Sequence, residues 1–151
     1  MTLKERFEED YKTAFKAGQR EVVGVLRELK AAVKNAEIAR RKDFDDNEVL
    51  DVIMGQAKQH EDSIRQFTAG RRDDLANMER AQLKVVEQYL PAKLSPDELR
   101  DIVGELITQA GATGPKDMGA VMKLVMQKVR GQADGALVKN IVTDELAKRS
   151  A

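Results

Sequence analysis

One segment of the C-terminal third spaces basic residues so that a helix would present them on a single face. Lys116, Gly119, Lys123, Gln127 and Arg130 are separated by three, four, four and three positions, and residues at these spacings share one side of an α-helix. The glycine in the row leaves a gap where another backbone can come close. Because cations around a gap suit a phosphate backbone, we interpret this row as a candidate phosphate-binding face.

Two features near the row extend this candidate surface. The turn that follows should present backbone amides at Asp134 and Gly135, and open amides at a helix start favour anions. The basic residues of the region are expected to contact phosphates: Lys116, Lys123, Lys128, Arg130 and Lys139. The alternative is a solvated helix face whose glycine packs against a neighbouring helix, and the sequence leaves both interpretations open.

Aromatic residues are scarce, at 4% of the sequence with no tryptophan. We therefore predict that no aromatic platform is available for stacking bases, on which the recognition of single strands usually depends. RNA binding at the row is expected to be weak, directed at shape and phosphate backbone, and strongly dependent on salt.

A second basic stripe follows the second predicted helix. Arg27, Lys30, Lys34 and Arg41 recur there at helical spacing, and the stripe could extend the phosphate-binding surface. The alternative is ordinary solvated charge, in which Arg27 and Lys30 pair with acidic residues of the third helix.

The single histidine is interpreted as a structural residue. His60 falls on the apolar stripe of its helix, between Ala57 and Ile64, while Gln56 and Glu61 point to other faces. A catalytic or metal site needs several convergent groups. We therefore expect His60 to be packed and hydrogen-bonded.

No residue is assigned a catalytic role. The acids Asp45, Asp46, Glu48 and Asp51 cluster at a helix start, where the helix dipole favours negative charge. The sequence has no cysteine, which excludes disulfides and thiolate chemistry. It also contains no Walker loop, dinucleotide-binding glycine pattern or zinc-ligand spacing. We predict neither a metal site nor a cofactor.

Composition and charge restrict the class of protein. Hydrophobic residues make up 42% and charged residues 34% of 151 positions, which is typical of a well-solvated helical protein. Lys plus Arg and Asp plus Glu both number 26, and zero net charge counts against a high-affinity nucleic-acid binder. No apolar stretch could span a bilayer, and the N-terminal residues lack an apolar signal core. We therefore expect a cytoplasmic protein without membrane contacts.

Capping patterns and hydrophobic spacing predict an all-α fold. Apolar residues recur at intervals of three and four, and no run alternates as a strand would. The glycines inside predicted helices, Gly24, Gly55 and Gly104, are expected to mark close helix crossings. Phe15 belongs to the apolar stripe of the first helix, and Met78 is predicted to be buried by the fourth. The first four helices are predicted between Thr2 and Gly18, at 20–40, between Asp45 and Gly70, and at 72–88.

A domain boundary is predicted at residues 90–95. Pro91 disfavours helix at the residue before it. Ser95 and Pro96 then restart a helix as N-cap and first helical residue, with Glu98 at the capping-box position. We predict an N-terminal helical domain at 1–91 and a C-terminal domain at 95–151, with helices near 96–110, 116–129 and 134–148.

Four segments resemble the stand-alone YqeY family, in the family's order along essentially the whole chain. These segments are Arg27–Ile38, Gln88–Pro91, Lys116–Met122 and Gly131–Gly135. The C-terminal domain is also similar to the tail of GatB, a subunit of the complex that amidates misacylated Glu-tRNA or Asp-tRNA. The resemblance implies a four-helix N-terminal unit followed by a smaller three-helix GatB-tail-like domain.

The resemblance implies a role in holding tRNA. In GatB the tail helps to hold tRNA while the chemistry lies elsewhere. Amidotransferase activity, a carbon–nitrogen ligation with glutamine as amido-N-donor, is implied by family resemblance only, and we find no residues here that could perform it. Our hypothesis is an accessory tRNA-binding module that works beside a larger translation-related enzyme. The alternative is a protein–protein adaptor without nucleic-acid binding, and the sequence leaves the oligomeric state open.

Overall fold

Every regular element in the described part of the chain is helical. The computed structural model describes residues 1–150, and within them it has seven α-helices, one short 3₁₀ helix and no strand. The predicted all-α class is confirmed. None of these helices has the length and apolar character needed to cross a bilayer. The chain divides into two compact units, the first from Met1 to Pro91 and the second from Ala92 onward.

The helices of the first unit start where side chains cap their free amides. The hydroxyl of Thr2 accepts from the amide of Glu5 at 3.2 Å, and Asp45 and Glu48 form a reciprocal capping box with bonds of 2.9 and 3.3 Å. Such caps satisfy donors that the helix itself cannot. The helices are α1 (Leu3–Lys16), α2 (Arg20–Arg40), α3 (Asp46–Ala69) and α4 (Asp73–Glu87).

The end of the first unit is attached to α1 through Tyr89. Its ring is 4% exposed and meets Phe7 edge-on, with ring centroids 4.8 Å apart. Its hydroxyl donates to the carboxylate of Asp10. Burial and this hydrogen bond raise the pKa of Tyr89 well above its usual value. Within the Gln88–Pro91 segment, one of those that carry the family resemblance, Tyr89 therefore has a structural role.

The second unit has its own aliphatic core. Ser95 and Glu98 form the predicted capping box, with bonds of 3.2 and 3.1 Å. The helix predicted from residue 116 starts at Met118, and Lys116 lies instead in a 3₁₀ turn. The elements are α5 (Pro96–Ala110), the 3₁₀ turn Pro115–Asp117, α6 (Met118–Val129) and α7 (Gly135–Arg149).

The turn between α6 and α7 is held to the start of the second unit. Gly131 has a φ of +79°, a conformation that favours glycine. The side-chain amide of Gln132 donates to the carbonyl of Ala92 at 3.1 Å, and the Gln132 carbonyl accepts from the amide of Leu94 at 3.0 Å. This turn also belongs to the segments that carry the family resemblance. The φ of Gly131 and the hydrogen bonds of Gln132 give both residues a structural role.

Two apolar side chains lie on the surface against expectation. Phe15, placed on the apolar stripe of α1, is 65% exposed, and Met78, predicted to be buried by α4, is 54% exposed. In α1 the buried residue nearest in sequence is Ala14, and in α4 it is Ala76, on the side of the helix away from Met78. The spacing of apolar residues predicted which side of each helix is buried, but not which residues at the border of that side are exposed.

The glycines inside helices do not mark close crossings. A Cβ atom added at Gly24, Gly55 or Gly104 would meet nothing within 4 Å. The expectation that these residues let helices approach closely was therefore wrong. Each of these positions loses helix propensity without a packing gain in the described chain.

The substitution Gly55→Ala is expected to stabilise the first unit by about 0.5–1 kcal/mol, because alanine favours the helix interior and has room there. Urea unfolding followed by circular dichroism would measure the change. Gly18→Ala is the contrasting variant, since Gly18 has a φ of +70°, and it should destabilise by about 1–2 kcal/mol. Destabilisation by Gly55→Ala would show that something packs on α3 at this position.

Candidate nucleic-acid interface

The predicted row on α6 lies on the solvent side of the second unit. Gly119, Lys123 and Gln127 are exposed, as is Lys116 in the preceding turn. The other side of the same helix carries Val121, Val125 and Val129, each 0% exposed. Since residues advance about 100° around an α-helix, burying these valines turns Gly119 and Lys123 outward.

Gly119 leaves an open gap in the row. A Cβ atom added there would meet no other atom within 4 Å. The alternative in which this glycine packs against a neighbouring helix is therefore not what residues 1–150 show. The gap is available to an approaching ligand backbone.

Lys139 belongs to the neighbouring helix α7. The Thr143 hydroxyl lies 3.9 Å from the Met118 sulfur, which places this part of α7 beside the start of α6. Lys139, whose carbonyl accepts from Thr143 at 2.7 Å, lies one turn before this contact on α7 and is exposed.

Lys128 belongs to a different face of α6. Five positions separate it from Lys123, which corresponds to a rotation of about 140° around the helix. It lies instead one turn after Leu124, an apolar side chain that is 40% exposed. The structure thus separates Lys128 from the row with which it was grouped.

In the described part of the chain, the lysines of this region have no carboxylate partner. Within residues 1–150, no acidic side chain lies within ion-pair distance of Lys116, Lys123, Lys128 or Lys139. Arg130 differs, because it is half-buried and is engaged by another group of the chain. The uncompensated charge therefore comes from the lysines.

The turn before α7 is less favourable to an anion than predicted. Gly135 is the first residue of α7 and is half-buried, and no side chain caps the helix. However, the exposed carboxylate of Asp134 stands at the N-cap position and supplies the negative charge that the helix start attracts.

The second basic stripe is partly neutralised within the first unit. Lys30 pairs with Glu8 of α1 at 2.8 Å, and Arg27 donates to the Tyr11 hydroxyl at 3.0 Å. The predicted pairing of Arg27 and Lys30 with acids of α3 was therefore wrong. Lys34 is exposed and pairs with no carboxylate of the described residues.

The single histidine is packed and hydrogen-bonded. His60 is 7% exposed, and its Nδ1 lies 2.6 Å from a carboxylate oxygen of Glu79 on α4. Sequence reasoning missed Glu79, since nothing in the spacing connects positions so far apart. Among residues 1–150, no three histidine, aspartate or glutamate side chains come together as a metal ion would require.

Curated proteins similar to this chain come from fungi. The protein "Altered inheritance of mitochondria protein 41, mitochondrial" of Pyrenophora tritici-repentis is 27% identical over 131 residues, covering 85% of this chain and 71% of the relative. The protein of that name from Saccharomyces cerevisiae is 30% identical over 93 residues, covering 57% of this chain and 50% of its own length. The protein of that name from Kluyveromyces lactis is 30% identical over 93 residues, which cover 60% of this chain and 50% of the relative. The match thus spans half the length of the yeast relatives.

These names contradict the cytoplasmic location expected from the sequence. The relatives are named as mitochondrial proteins. The expectation depended on the lack of an apolar signal core, but mitochondrial targeting segments are amphipathic and basic instead of apolar. The lack of an apolar signal core therefore does not distinguish a cytoplasmic from a mitochondrial protein.

A family profile covers nearly all of the chain. The profile described as "Yqey-like protein" matches residues 4–146. The match includes α1 to α6 and most of α7, and therefore both the open row on α6 and the basic stripe on α2. The chain belongs to the YqeY family.

Proposed function

We propose that this chain is an accessory protein that holds tRNA through the row on α6. The observation that carries the proposal is the pair of exposed lysines Lys116 and Lys123 on either side of the open gap at Gly119, neither with a carboxylate partner within residues 1–150. We assign the exposed Lys139 of α7 to the same contact. When an unpaired lysine neutralises a phosphate, the cation that was condensed on the nucleic acid there is released, and this release drives binding. The glycine lets a sugar–phosphate backbone come close to the helix.

The proposed role is positioning, and no chemical step is assigned to the chain. We infer that the second unit, with α5, α6 and α7, corresponds to the GatB tail, and that the first unit supplies a four-helix support. Carbon–nitrogen ligation with glutamine as donor would belong to a larger translation-related enzyme. The chain would bring tRNA to that enzyme or keep it there.

Filter binding to unmodified tRNA at low and high salt tests the proposal. Wild-type protein should bind at low salt and weaken steeply as salt rises. Lys123→Glu should weaken binding about tenfold at low salt and reduce the salt slope by about 1, since one phosphate contact is lost.

Lys128→Glu provides a matched comparison, because it makes the same charge reversal on the same helix but on another face. Its effect should remain within about twofold, and circular dichroism should show equal helix content in both variants. Absence of tRNA binding at low salt, or equal losses in the two variants, would reject the α6 row as the binding face.

An adaptor function is favoured by one observation, the 40% exposure of Leu124 between Lys123 and Lys128. Contiguous exposed apolar patches mark protein interfaces, and Leu124 would supply the apolar part of such a patch. In that case Leu124→Asn should abolish recovery of a partner protein from nuclease-treated extract while leaving tRNA binding unchanged.

A further inference from the structure

A cavity of about 350 Å³ opens in the first unit between the end of α1 and the first turns of α2. It is lined by Phe15, Gly18, Arg20, Val23, Gly24 and Arg27. The lining therefore combines one aromatic residue, one valine, two glycines and two arginines, and most of its surface is apolar. None of these residues takes part in the α6 row.

The aromatic wall is exposed and held in place. Phe15 is 65% exposed, and its ring stacks on Tyr11 with centroids 6.2 Å apart and planes 24° from parallel. Tyr11 is itself held by the Arg27 hydrogen bond of 3.0 Å and by the Lys30 ammonium 4.6 Å from its ring centroid. One face of the Phe15 ring is thus occupied by Tyr11, while the side chain as a whole stays largely exposed.

The two glycines leave room beside the ring. Gly18 has a φ of +70°, and a Cβ atom at either Gly18 or Gly24 would meet nothing within 4 Å. Gly24 lies inside α2, where glycine is unfavourable relative to alanine. Since no other part of the described chain packs against Gly24, a planar group could lie there.

The charges of the cavity favour an anion. Arg20 and Arg27 are exposed, and neither pairs with a carboxylate within residues 1–150. The start of α2 lies at the same place and has no side-chain cap. The Arg20 amide donates to the Gly18 carbonyl at 3.0 Å, and the helix dipole adds partial positive charge at this end. Glu21 is the acid of that turn, and it points about 100° around the helix from Arg20.

We propose that this cavity binds an unpaired nucleotide of an RNA, with the base on the free face of Phe15 and its phosphate between Arg20 and Arg27. The inference rests on the proposed function, that the chain binds RNA, and adds a second contact that distinguishes single strands from duplexes. A flat aromatic ring beside guanidinium groups suits a base and its phosphate. An acidic peptide would bind the same arginines but would not need the aromatic ring of Phe15.

The test uses full-length Phe15→Trp protein, whose fluorescence reports this site alone because the sequence has no other tryptophan. Titration with a short single-stranded oligouridylate should quench the emission, and a duplex RNA of equal length should not. Quenching should weaken as salt rises.

Two further variants separate stacking from charge, measured by competition against labelled oligouridylate. Phe15→Leu keeps an apolar side chain but removes the ring, and should weaken binding about 5- to 100-fold, as expected for one lost base–aromatic stack. Arg20→Gln should lower the salt slope by about 0.7. Lys84→Gln, on the exposed surface of α4, is the control and should change neither value.

The outcomes distinguish this inference from the proposed function. Quenching by the single strand that persists in the Lys123→Glu background supports the cavity as a separate site. If the Trp emission does not change on adding RNA, but tRNA binding is still weakened by Lys123→Glu, then the proposed nucleotide site in the cavity is wrong and the proposed function stands. Absence of binding to any RNA at low salt overturns both. Quenching by polyglutamate but not by RNA overturns the nucleotide and assigns the cavity to an acidic protein partner.

Discussion

Ile107→Ala is expected to remove a large part of the stability of the second unit while the first unit keeps its own. Ile107 is 0% exposed and belongs to a core separate from that of the first unit. Truncation of such a side chain costs about 2–5 kcal/mol. A unit of about 60 residues has roughly 3–9 kcal/mol of stability in total, so this one change removes much of it.

Hydrogen exchange resolved by peptide would measure the effect. Amides of α5, α6 and α7 should lose most of their protection, whereas those of α2 and α3 should keep theirs. Met78→Ala is the control, because Met78 is 54% exposed and its truncation should cost less than about 0.5 kcal/mol. Equal loss of protection in both units would contradict the view that their cores are energetically independent. Because α6 carries the proposed tRNA contacts, Ile107→Ala should also reduce tRNA binding without touching a charge.

Helix positions were predictable because their causes are local. Thr2, Asp45 and Ser95 each cap a helix through an amide three residues later, and such contacts are visible in sequence. The same holds for the outward direction of Lys123, since its helix buries valines on the other side. Spacing along one helix is enough to predict such features.

Contacts between helices were not predictable in the same way. The partner of His60 is Glu79, on a different helix, and Lys30 pairs with Glu8 of α1 instead of an acid of α3. A helical pattern says which side chains share a face, but it does not say which element covers that face. The exposure of Phe15 has the same origin, because the turn and the helix that follow it have glycines at positions 18 and 24, whose missing side chains cannot cover the ring.

The candidate sites show this difference directly. The α6 row depends on one helix and its immediate neighbour, and its lysines were identified from spacing. The cavity on α1 and α2 needs a ring from one helix, guanidinium groups from another and the absence of covering atoms. Only the spatial arrangement reveals that combination, although Arg27 was already singled out by its spacing.

Glu37→Ala is expected to destabilise the first unit by about 2–4 kcal/mol, the second large effect. Glu37 is only 9% exposed. Its carboxylate forms an ion pair with Lys4 of α1 and accepts the buried amide of Phe44 at 2.7 Å. Loss of the carboxylate leaves that amide without an acceptor, which alone costs about 1–3 kcal/mol, and also removes packing between α1 and α2. Chemical unfolding at pH 7 measures the sum, and Glu28→Gln, an exposed neighbour on α2, should change stability by less than about 0.5 kcal/mol.

The dependence on pH isolates the charge of Glu37 from its shape. The hydrogen bond from Lys4 and then that from the Phe44 amide hold the pKa of Glu37 below its usual value, against the opposing effect of burial. A lowered pKa in the folded state contributes stability that is complete above the unfolded pKa of about 4.3 and is lost as pH falls through the folded value. Glu37→Gln keeps the shape and can still accept from Phe44, so it should be less stable than wild type at pH 7 and approach wild type near pH 3. A stability difference that stays constant from pH 7 to pH 3 would mean that the ion pair with Lys4 contributes nothing and that Glu37 acts only as a neutral acceptor.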